Sequence, residues 1–419
     1  ILNEKLPPTE FVGYDRYTDV DSVIQAIFID GKPVDVLHHG SEGGVVLSPT
    51  PFYAESGGQI GDTGTLEWDG GRATVLNTQK IGDLTISRVR VDEGSLAPSM
   101  HVRASVPVPT RLDTTANHTA THLLHKALKD ILGATVQQAG SLVAPDRLRF
   151  DYTYHQPLTG EQLLAIEAAV NERIRENLEV TKRVLPIEEA KRSGAVAMFG
   201  EKYGEHVRIV SAGEYSREFC GGCHVNRTGD IGVFKIVSDR SLAAGVRRME
   251  ALTGRGALEY FRTLETNVEE LQRQLQEKQK QFEKELKQLR TKLATGGGGA
   301  AREDDGAIDV DGVKLLTRRV DEISGGDLRN LADTLRSRLK SGIVILGSYG
   351  EGKSSLLAAV TKDLVERIPA NTLIQQLAPI VGGKGGGKSD LAQAGGKDPD
   401  KLNDALNQAP ATVRALLGA

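Results

Sequence analysis

Five consecutive residues, Cys220-Gly-Gly-Cys223-His224, could support several kinds of chemistry. They lie within SREFCGGCHVNRTGDIG and contain both cysteines of the 419-residue chain. Cys-x-x-Cys-His is the attachment pattern of a c-type haem. Without the histidine, Cys-x-x-Cys is typical of a redox dithiol, and Cys220 with His224 forms half of a metal site. The pattern alone leaves these chemistries open, beside the alternative of two small buried hydrophobic residues.

Histidines upstream favour the metal interpretation. His118 and His122 are spaced i, i+4 in ANHTATHLLHKALKDIL, so in a helix both imidazoles lie on one face, with His125 roughly on the same stripe. A thiolate with three imidazoles is a reasonable tetrahedral set for Zn²⁺. Gly221 and Gly222 allow a turn tight enough for both of its ligands to point inward. We therefore predict a metal site that joins a helix to a distant turn.

The haem and dithiol interpretations fit the surrounding sequence less well. A covalent haem needs a small helical fold, but residues 208–237 read as short strands around the turn. A redox dithiol opens a helix after a strand, whereas the turn-like run HVNRTGDIG follows here. Two cysteines without a visible secretion signal also argue against a disulfide framework.

Two helices are marked by their ends. The helix that carries the histidines is expected to end at Gly133. Candidates for its N-terminal cap are Asp113, Thr114 and Thr115. A capping box at Thr159 and Gln162 predicts the start of the second helix. The apolar stripe of this second helix is Ile166, Val170, Ile174 and Leu178.

Residues 13–105 read as strands. VIQAIFID, VVLSPT and LTISRVRV are β-rich runs separated by Gly, Asp and Pro. Between them, FYAESGGQIGDTG has glycines at positions 57, 58, 61 and 64. These glycines predict either hairpin turns with positive φ or a loop that another backbone approaches closely.

Residues 257–296 have a different character. Apolar residues follow a 4-3-4 spacing in two runs whose phase slips between them: Leu264, Val268, Leu271 and Leu275, then Phe282, Leu286, Leu289 and Leu293. This predicts a coiled coil or a long helical hairpin with a local stutter. TGGGGA at 295–300 predicts a flexible linker. A last domain at 301–419 contains the strand GIVILGS and the tract VGGKGGGKSDLAQAGG.

Two stretches of this last domain satisfy the P-loop pattern, GSYGEGKS at 347–354 and GGKGGGKS at 382–389. No hydrophobic strand ending in Asp follows the first to hold Mg²⁺. We expect SSLLAAVT to be the second strand of a hairpin with the turn SYGEGK, and we attribute the second match to glycine density. ATP binding is not expected.

Composition bounds the remaining possibilities. The length predicts about two to four domains, and a formal net charge of -4 argues against polyanion binding by the chain as a whole. No apolar run approaches a membrane span, and ILNEKLPPTEFVGYD lacks the features of a signal peptide. We expect a cytoplasmic protein with no membrane partner. The missing initial Met suggests a piece of a longer chain.

Several motifs together resemble one family. NHTATHLLH, VQQAGSLV, SREFCGGCHVNRTGDIG and AAGVRRMEALTG resemble the editing domain of alanyl-tRNA synthetases. FYAESGGQIGDTG resembles the glycine-rich motif of the neighbouring β-barrel, and the coiled coil and glycine-lysine tail resemble the C-terminal domain. The resemblance covers nearly the whole chain, in order, and implies the C-terminal half of such an enzyme without its aminoacylation domain.

The resemblance implies an α+β, multidomain fold. The implied parts are a linker remnant at 1–12, a glycine-rich β-barrel subdomain at 13–105, a zinc-containing α+β editing core at 106–256, a coiled-coil or helical linker at 257–296 and a small α/β tRNA-binding domain at 301–419.

The resemblance also implies an activity, the hydrolysis of seryl- or glycyl-tRNA mischarged on the alanine tRNA. The implied zinc ligands are His118, His122, Cys220 and His224, and the implied catalytic positions are Thr121, Gln138 and Cys220. Cys223 stands where the family often has Thr, and we expect that it does not bind the metal. Whether the zinc is catalytic or structural stays open.

The implied partner is the alanine tRNA. The implied tRNA contacts are Arg247, Arg248, Lys384 and Lys388, the last two on a mobile glycine loop that could instead be a solvated linker. The coiled coil or the C-terminal domain could form a homodimer. Two other functions remain open: a free-standing trans-editing deacylase, and a tRNA-binding or dimerisation module whose zinc is purely structural.

Overall fold

The protein, described by a computed structural model over residues 6–197, 204–294, 306–350 and 352–418, has a mixed α+β fold. The chain divides into two compact units, Ile1–Asn267 and Val268–Ala419. Within the described residues, no helix is both long and apolar enough to cross a membrane. The predicted linker TGGGGA at 295–300 lies outside the described residues.

A closed β-barrel forms the first part of the chain. Its strands and the short strands attached to it are β1 (Val20–Ile29), β2 (Lys32–Pro33), β3 (Leu37–His38), β4 (Glu42–Ser48), β5 (Gly64–Trp68), β6 (Gly71–Ile81), β7 (Leu84–Glu93), β8 (Ser95–Leu96) and β9 (His101–Ser105). The order β1-β4-β7-β6-β5-β9 closes because β9 pairs with both β5 and β1, and all of these pairs are antiparallel. The three strands predicted from VIQAIFID, VVLSPT and LTISRVRV are confirmed.

Side chains along the strands alternate between buried and exposed, and the buried ones fill the interior of the barrel. In β9, Val102 and Ala104 are buried while His101 and Arg103 point outward, as expected for a strand with one face on an apolar core. The segment before β1 is also attached: the Val12 N–H donates to the Thr50 carbonyl at 3.0 Å. Val12 is therefore attached to the barrel, and the predicted linker remnant at 1–12 stays a prediction.

The next part of the first unit contains two antiparallel sheets and three helices within the described residues. The elements are α1 (Val108–Leu132), β10 (Gln138–Val143), β11 (Leu148–Thr153), α2 (Gly160–Arg175), β12 (Val180–Pro186), α3 (Ile187–Arg192), β13 (His206–Ala212), β14 (Ser216–Phe219), a 3-10 helix (Thr228–Ile231), β15 (Phe234–Ala243) and β16 (Val246–Thr253). The sheets have the orders β10-β11-β16-β15 and β12-β13-β14. Leu123 and Leu124 of α1, Ile166 of α2, and Phe150 and Met249 of the larger sheet share one apolar core.

The predicted start of α1 is wrong. The helix begins at Val108 and has Pro109 in its first turn, where proline is favoured because its φ angle already fits a helix and its missing N–H is not needed. The Thr114 and Thr115 hydroxyls donate to the carbonyls of Thr110 and Leu112, within the helix. These side chains therefore satisfy interior carbonyls and do not cap the helix.

The other predicted helix ends are confirmed. Gly133 is the C-cap of α1. The Thr159–Gln162 capping box begins α2, whose buried residues include Ile166, Val170 and Ile174. Leu178 lies beyond the end of α2.

A long helix, α4 (Gly254–Ala294), follows β16. Because this helix is continuous, the hairpin alternative is wrong for these residues. Its apolar side chains from Leu264 to Leu289 are exposed, with Leu275 at 67%. The predicted coiled-coil pairing stays a prediction.

The C-terminal domain is a six-stranded sheet with helices on both faces. Its elements are β17 (Ala307–Val310), β18 (Val313–Arg319), α5 (Gly325–Leu339), β19 (Ile343–Gly350), β20 (Lys353–Val360), α6 (Ala370–Leu377), a 3-10 helix (Ala378–Val381), β21 (Lys384–Gly387), β22 (Leu391–Gly396) and α7 (Leu402–Leu417). The strand order is β17-β18-β19-β20-β22-β21, with only β18 and β19 parallel among these pairs. Ile343 of β19 packs with α6 and α7, and Val344 packs with α5 on the other face.

Neither P-loop match opens a helix. The first lies in the antiparallel hairpin of β19 and β20, in which Gly350 pairs with Lys353. The second forms β21, an edge strand paired with β22. The expected hairpin is confirmed, and the expectation of a mobile loop at Lys384 is wrong, because its backbone belongs to the sheet.

Candidate metal centre

Four predicted ligands meet where α1 lies against the turn after β14. His118 and His122 come from α1, and Cys220 and His224 come from the turn. Cys220 Sγ lies 3.4 Å from His118 Nε2 and 3.3 Å from His224 Nε2. One ligand atom from each of the four side chains lies within 4.8 Å of all the others. A helix and a distant turn thus form one cluster.

The spacing and chemistry of this cluster fit a zinc ion. Ligands of a tetrahedral zinc ion lie roughly 3.3–3.7 Å from one another, given bonds of about 2.0–2.3 Å. The two Cys220 distances fall in that range. His122 Nε2 is buried and has no hydrogen-bond partner among the described residues, which is costly for a polar atom unless a ligand satisfies it.

Electrostatics keep the imidazoles in the form that binds metals. Burial, with the nearby charge of Arg208, holds the pKa of His118 well below its usual value. Burial likewise lowers the pKa of His122 and of His224. Burial raises the pKa of the Cys220 thiol to about 12. The histidines are therefore neutral at pH 7, and a thiolate at Cys220 requires a bound cation.

Side chains of residues outside the turn that carries Cys220 and His224, called the ligand turn, hold its backbone in place. Arg208, on β13, donates to the carbonyls of Cys220 and Gly222, each at 2.8 Å. Its guanidinium lies over the Tyr14 ring at 4.2 Å, and the Tyr14 hydroxyl donates to the Gly221 carbonyl at 2.6 Å. These contacts fix the turn to a strand and to the segment before the barrel.

The glycine-rich loop of the barrel, residues 56–64, fits both predicted interpretations. Gly57 and Gly58 have positive φ angles, as tight turns require. A Cβ on Gly58 would lie 2.8 Å from Ser141 Cβ. The Val143 N–H donates to the Gly58 carbonyl at 2.7 Å, and the Ile60 N–H donates to the Val143 carbonyl at 3.1 Å. The loop thus turns tightly and also approaches β10 closely.

The same loop reaches the metal centre through Gln59. Gln59 Oε1 lies 2.8 Å from His118 Nδ1 and accepts the Cys223 N–H at 2.8 Å. Gln59 is fully buried. A Cβ on Gly222 would lie 2.0 Å from His118 Cε1, so the turn packs directly against the ring.

A hydroxyl and a carboxylate contact the other rings. Thr119 Oγ1 lies 3.1 Å from His224 Nδ1. Glu218 Oε1 lies 2.9 Å from His125 Nδ1, and Glu218 Oε2 lies 3.7 Å from His122 Nε2. His125 therefore pairs with Glu218 and lies outside the four-residue cluster.

The other predicted site residues have different surroundings. Cys223 is buried outside the cluster, and its N–H is bound to Gln59. Thr121 is buried on α1, where its hydroxyl donates to the Asn117 carbonyl at 2.8 Å. Gln138 is half-buried at the start of β10, the strand that contacts the glycine-rich loop.

The predicted tRNA contacts form two groups. Arg247 and Arg248, on β16, are ion-paired to Asp239 at 2.6 Å and to Asp151 at 2.7 Å. The Arg247 side chain is only 9% exposed. Lys384 and Lys388, by contrast, are exposed at the edge of the C-terminal sheet. Their tRNA contacts remain predictions.

Sequence reasoning missed Gln59, Thr119, Arg208 and Glu218. Gln59 lies inside the motif FYAESGGQIGDTG, in which only the glycines predict a structural role, and Glu218 lies two residues before Cys220. The sequence FYAESGGQIGDTG marks Gln59 as a polar side chain among glycines, but it does not identify His118 as its partner.

Comparisons with known families define the class of protein. The family model "tRNA synthetases class II (A)" matches residues 2–108. The model "Threonyl and Alanyl tRNA synthetase second additional domain" matches residues 207–250, and the "DHHA1 domain" model matches residues 312–415. Residues 2–108 and 207–250 are therefore similar to domains of aminoacyl-tRNA synthetases.

Relatives specify the family. The chain is 44% identical over 95% of its length to an alanine–tRNA ligase of Idiomarina loihiensis and covers 47% of that protein. It is 46% identical over 98% of its length to that of Methylococcus capsulatus and covers 49%. The chain belongs to the alanyl-tRNA synthetase family and spans about half the length of the curated relatives it matches.

One solved structure is also similar. The C-Ala domain of Aquifex aeolicus alanyl-tRNA synthetase is 32% identical, with 26% of this chain and 97% of that domain covered and a TM-score of 0.25.

Proposed function

We propose that the chain is the C-terminal half of an alanyl-tRNA synthetase and that it hydrolyses Ser-tRNA and Gly-tRNA mischarged on the alanine tRNA. The observation that carries this proposal is the cluster of His118, His122, Cys220 and His224. Two of these ligands lie in the segment that matches the second additional domain of threonyl and alanyl synthetases.

The selectivity problem of alanine requires such a second site. A synthetic pocket shaped for Ala cannot exclude the smaller Gly, and Ser adds only a hydroxyl. A hydrolytic site that accepts Ser and rejects Ala must therefore form a hydrogen bond to that hydroxyl, whereas accepting Gly over Ala requires a different contact, because Gly has no hydroxyl. Thr121 and Gln138 are the candidates, because each carries a hydrogen-bonding group. The Thr121 hydroxyl, which donates to the Asn117 carbonyl, keeps lone pairs that can accept a substrate hydroxyl.

The four clustered residues would hold zinc. When bound, zinc supplies Lewis acidity that can polarise a carbonyl or a water molecule, provided that a coordination position is open. His118, His122 and His224 would bind it as neutral imidazoles and Cys220 as a thiolate. Arg208 would keep the ligand turn in place through the Cys220 and Gly222 carbonyls.

A complete set of four protein ligands favours a second candidate. Closed tetrahedral sites are typical of structural zinc. In that case the metal staples the turn to α1, and the chain is a tRNA-binding module.

The C-terminal domain would bind the tRNA. Lys384 and Lys388 are exposed on the edge strand and beside it. Neither has an ion-pair partner among the described residues, so their ammonium groups can reach phosphates.

Deacylation of alanine tRNA charged with Ser, Gly or Ala tests the proposal, with zinc content measured on the same sample. We expect Ser-tRNA and Gly-tRNA to be hydrolysed and Ala-tRNA to be spared, with about one zinc per chain. Cys220→Ala should lose zinc and deacylation but keep tRNA binding. Cys223→Thr is the matched control and should keep all three. Stoichiometric zinc and normal tRNA binding without Ser-tRNA hydrolysis would support the structural alternative.

A further inference from the structure

We propose that Gln59 and Thr119 are positioning residues of the metal centre, which fix the ring tautomers of His118 and His224 so that each Nε2 lone pair faces Cys220 Sγ. This inference rests on the metal centre of the proposed function. Neither residue would touch the metal ion.

The tautomer of His118 follows from a backbone donor. The Cys223 N–H can only donate, so the Gln59 side-chain atom 2.8 Å away is the carbonyl oxygen Oε1. This contact settles the orientation of the amide, which is otherwise ambiguous. The same Oε1 lies 2.8 Å from His118 Nδ1, so Nδ1 must carry the ring proton. In the neutral ring, Nε2 is then left with a lone pair, 3.4 Å from Cys220 Sγ.

The tautomer of His224 follows from a backbone acceptor. Thr119 Oγ1 lies 2.9 Å from the Thr115 carbonyl, which can only accept, so the single hydroxyl hydrogen points there. The oxygen therefore acts as acceptor in its other contacts, from the Val225 N–H at 3.2 Å and from His224 Nδ1 at 3.1 Å. His224 Nε2 then carries the lone pair, 3.3 Å from Cys220 Sγ.

Gln59 also has a buried polar group that destabilises the fold, and packing alone does not explain why it is there. Its Nε2 is buried without a hydrogen-bond partner among the described residues. An unsatisfied buried donor costs about 1–3 kcal/mol, so an apolar side chain would serve the fold better. The amide oxygen, shared between His118 and the ligand turn, is the feature that requires glutamine. The barrel thereby contributes to a metal centre whose ligands all lie elsewhere.

Zinc affinity of the full chain tests this, measured on metal-stripped protein by competition with a chromophoric chelator. Gln59→Met and Thr119→Val remove the acceptors and should each weaken zinc binding about 10–100-fold, as loss of a partner to a ligating histidine does. Gln59→Glu and Thr119→Ser keep an acceptor and should bind zinc within about threefold of the unchanged chain. Thr114→Val is the matched control on the same helix, because the Thr114 hydroxyl donates only within α1.

Nitrogen-15 NMR of the histidine rings in the metal-free chain gives a second readout. We expect the Nδ1–H tautomer at His118 and at His224. Protonated Nε2 at either ring would overturn the proposal, as would Gln59→Met and Thr119→Val binding zinc like Thr114→Val. If Gln59→Met does not fold, the zinc affinity of Gln59→Glu decides the question. If Gln59→Glu, which keeps an acceptor, binds zinc as weakly as Thr119→Val, the proposed role of the acceptor is contradicted. Normal zinc affinity in a chain that fails to deacylate Ser-tRNA would refute the editing function alone.

Discussion

The glycine-rich loop of the barrel, residues 56–64, and the glycine-lysine tract, residues 382–388, have similar compositions but different surroundings. In both, glycine permits a close backbone approach. A Cβ added to Gly61 of the loop would lie 2.1 Å from the Thr78 carbonyl oxygen, and a Cβ added to Gly383 of the tract would lie 1.8 Å from the Gly395 carbonyl oxygen. The polar residues differ, because the loop buries Gln59 whereas the tract exposes Lys384. Close packing at single glycines thus does not distinguish the two stretches, whereas the environment of the intervening polar side chains does.

Removing the anchor of the barrel loop should have the largest effect. Arg111, which is 2% exposed, donates to the Asp62 carboxylate at the end of the loop and to the Pro51 carbonyl at 3.0 Å. Arg111→Met leaves a buried carboxylate unpaired and should lower the free energy of unfolding by about 3–5 kcal/mol. Urea unfolding measures this, and Arg88→Met is the control. Arg88 pairs with Glu42 on the surface, where about 0–1 kcal/mol is expected. Equal losses in the two variants would contradict the account.

A methyl group at the ligand turn should have the next largest effect. In Gly222→Ala the new Cβ would lie 2.0 Å from His118 Cε1 and 2.9 Å from Gln59 Oε1. The ring must move, so we expect about 1–3 kcal/mol of destabilisation, as for overpacked cores, together with weaker zinc binding. Gly221→Ala, whose Cβ would meet nothing within 4 Å, should change neither. Zinc titration and thermal unfolding of the pair distinguish them.

One glycine of the loop and one glycine of the tract allow the two stretches to be compared directly. A Cβ on Gly61 would lie 2.1 Å from the Thr78 oxygen, but one on Gly386 would meet nothing within 4 Å. Gly61→Ala should cost about 1–3 kcal/mol. Gly386→Ala should be neutral or stabilising by up to about 1 kcal/mol. Thermal unfolding measures both, and a destabilised Gly386→Ala would show that the tract is as constrained as the loop.

The exposed lysines should have the smallest effect, and only on RNA binding. Lys384→Ala and Lys388→Ala should each weaken tRNA binding uniformly across sequences and reduce the slope of log affinity against log salt by about 1. Stability and zinc content should not change. Binding titrations over a salt series test this, and an unchanged slope would place the tRNA contacts elsewhere.

The ligand cluster could be predicted from sequence because its signals are local. The i, i+4 spacing of His118 and His122 and the spacing of Cys220 and His224 each put two ligands on one element. Gln59 could not be assigned, because its contact with His118 spans 59 residues and depends on how the barrel loop packs. The strand at Lys384 was missed because glycines have low strand propensity, and its pairing with β22 overrides that preference.

X-ray absorption at the zinc edge tests the central claim most directly. We predict one sulfur at about 2.3 Å and three nitrogens at about 2.0–2.1 Å from the metal, with Cys223 outside the coordination sphere. The same spectrum should be obtained from Cys223→Thr. Two sulfur ligands, or a sphere of light atoms without sulfur, would contradict the assignment of His118, His122, Cys220 and His224.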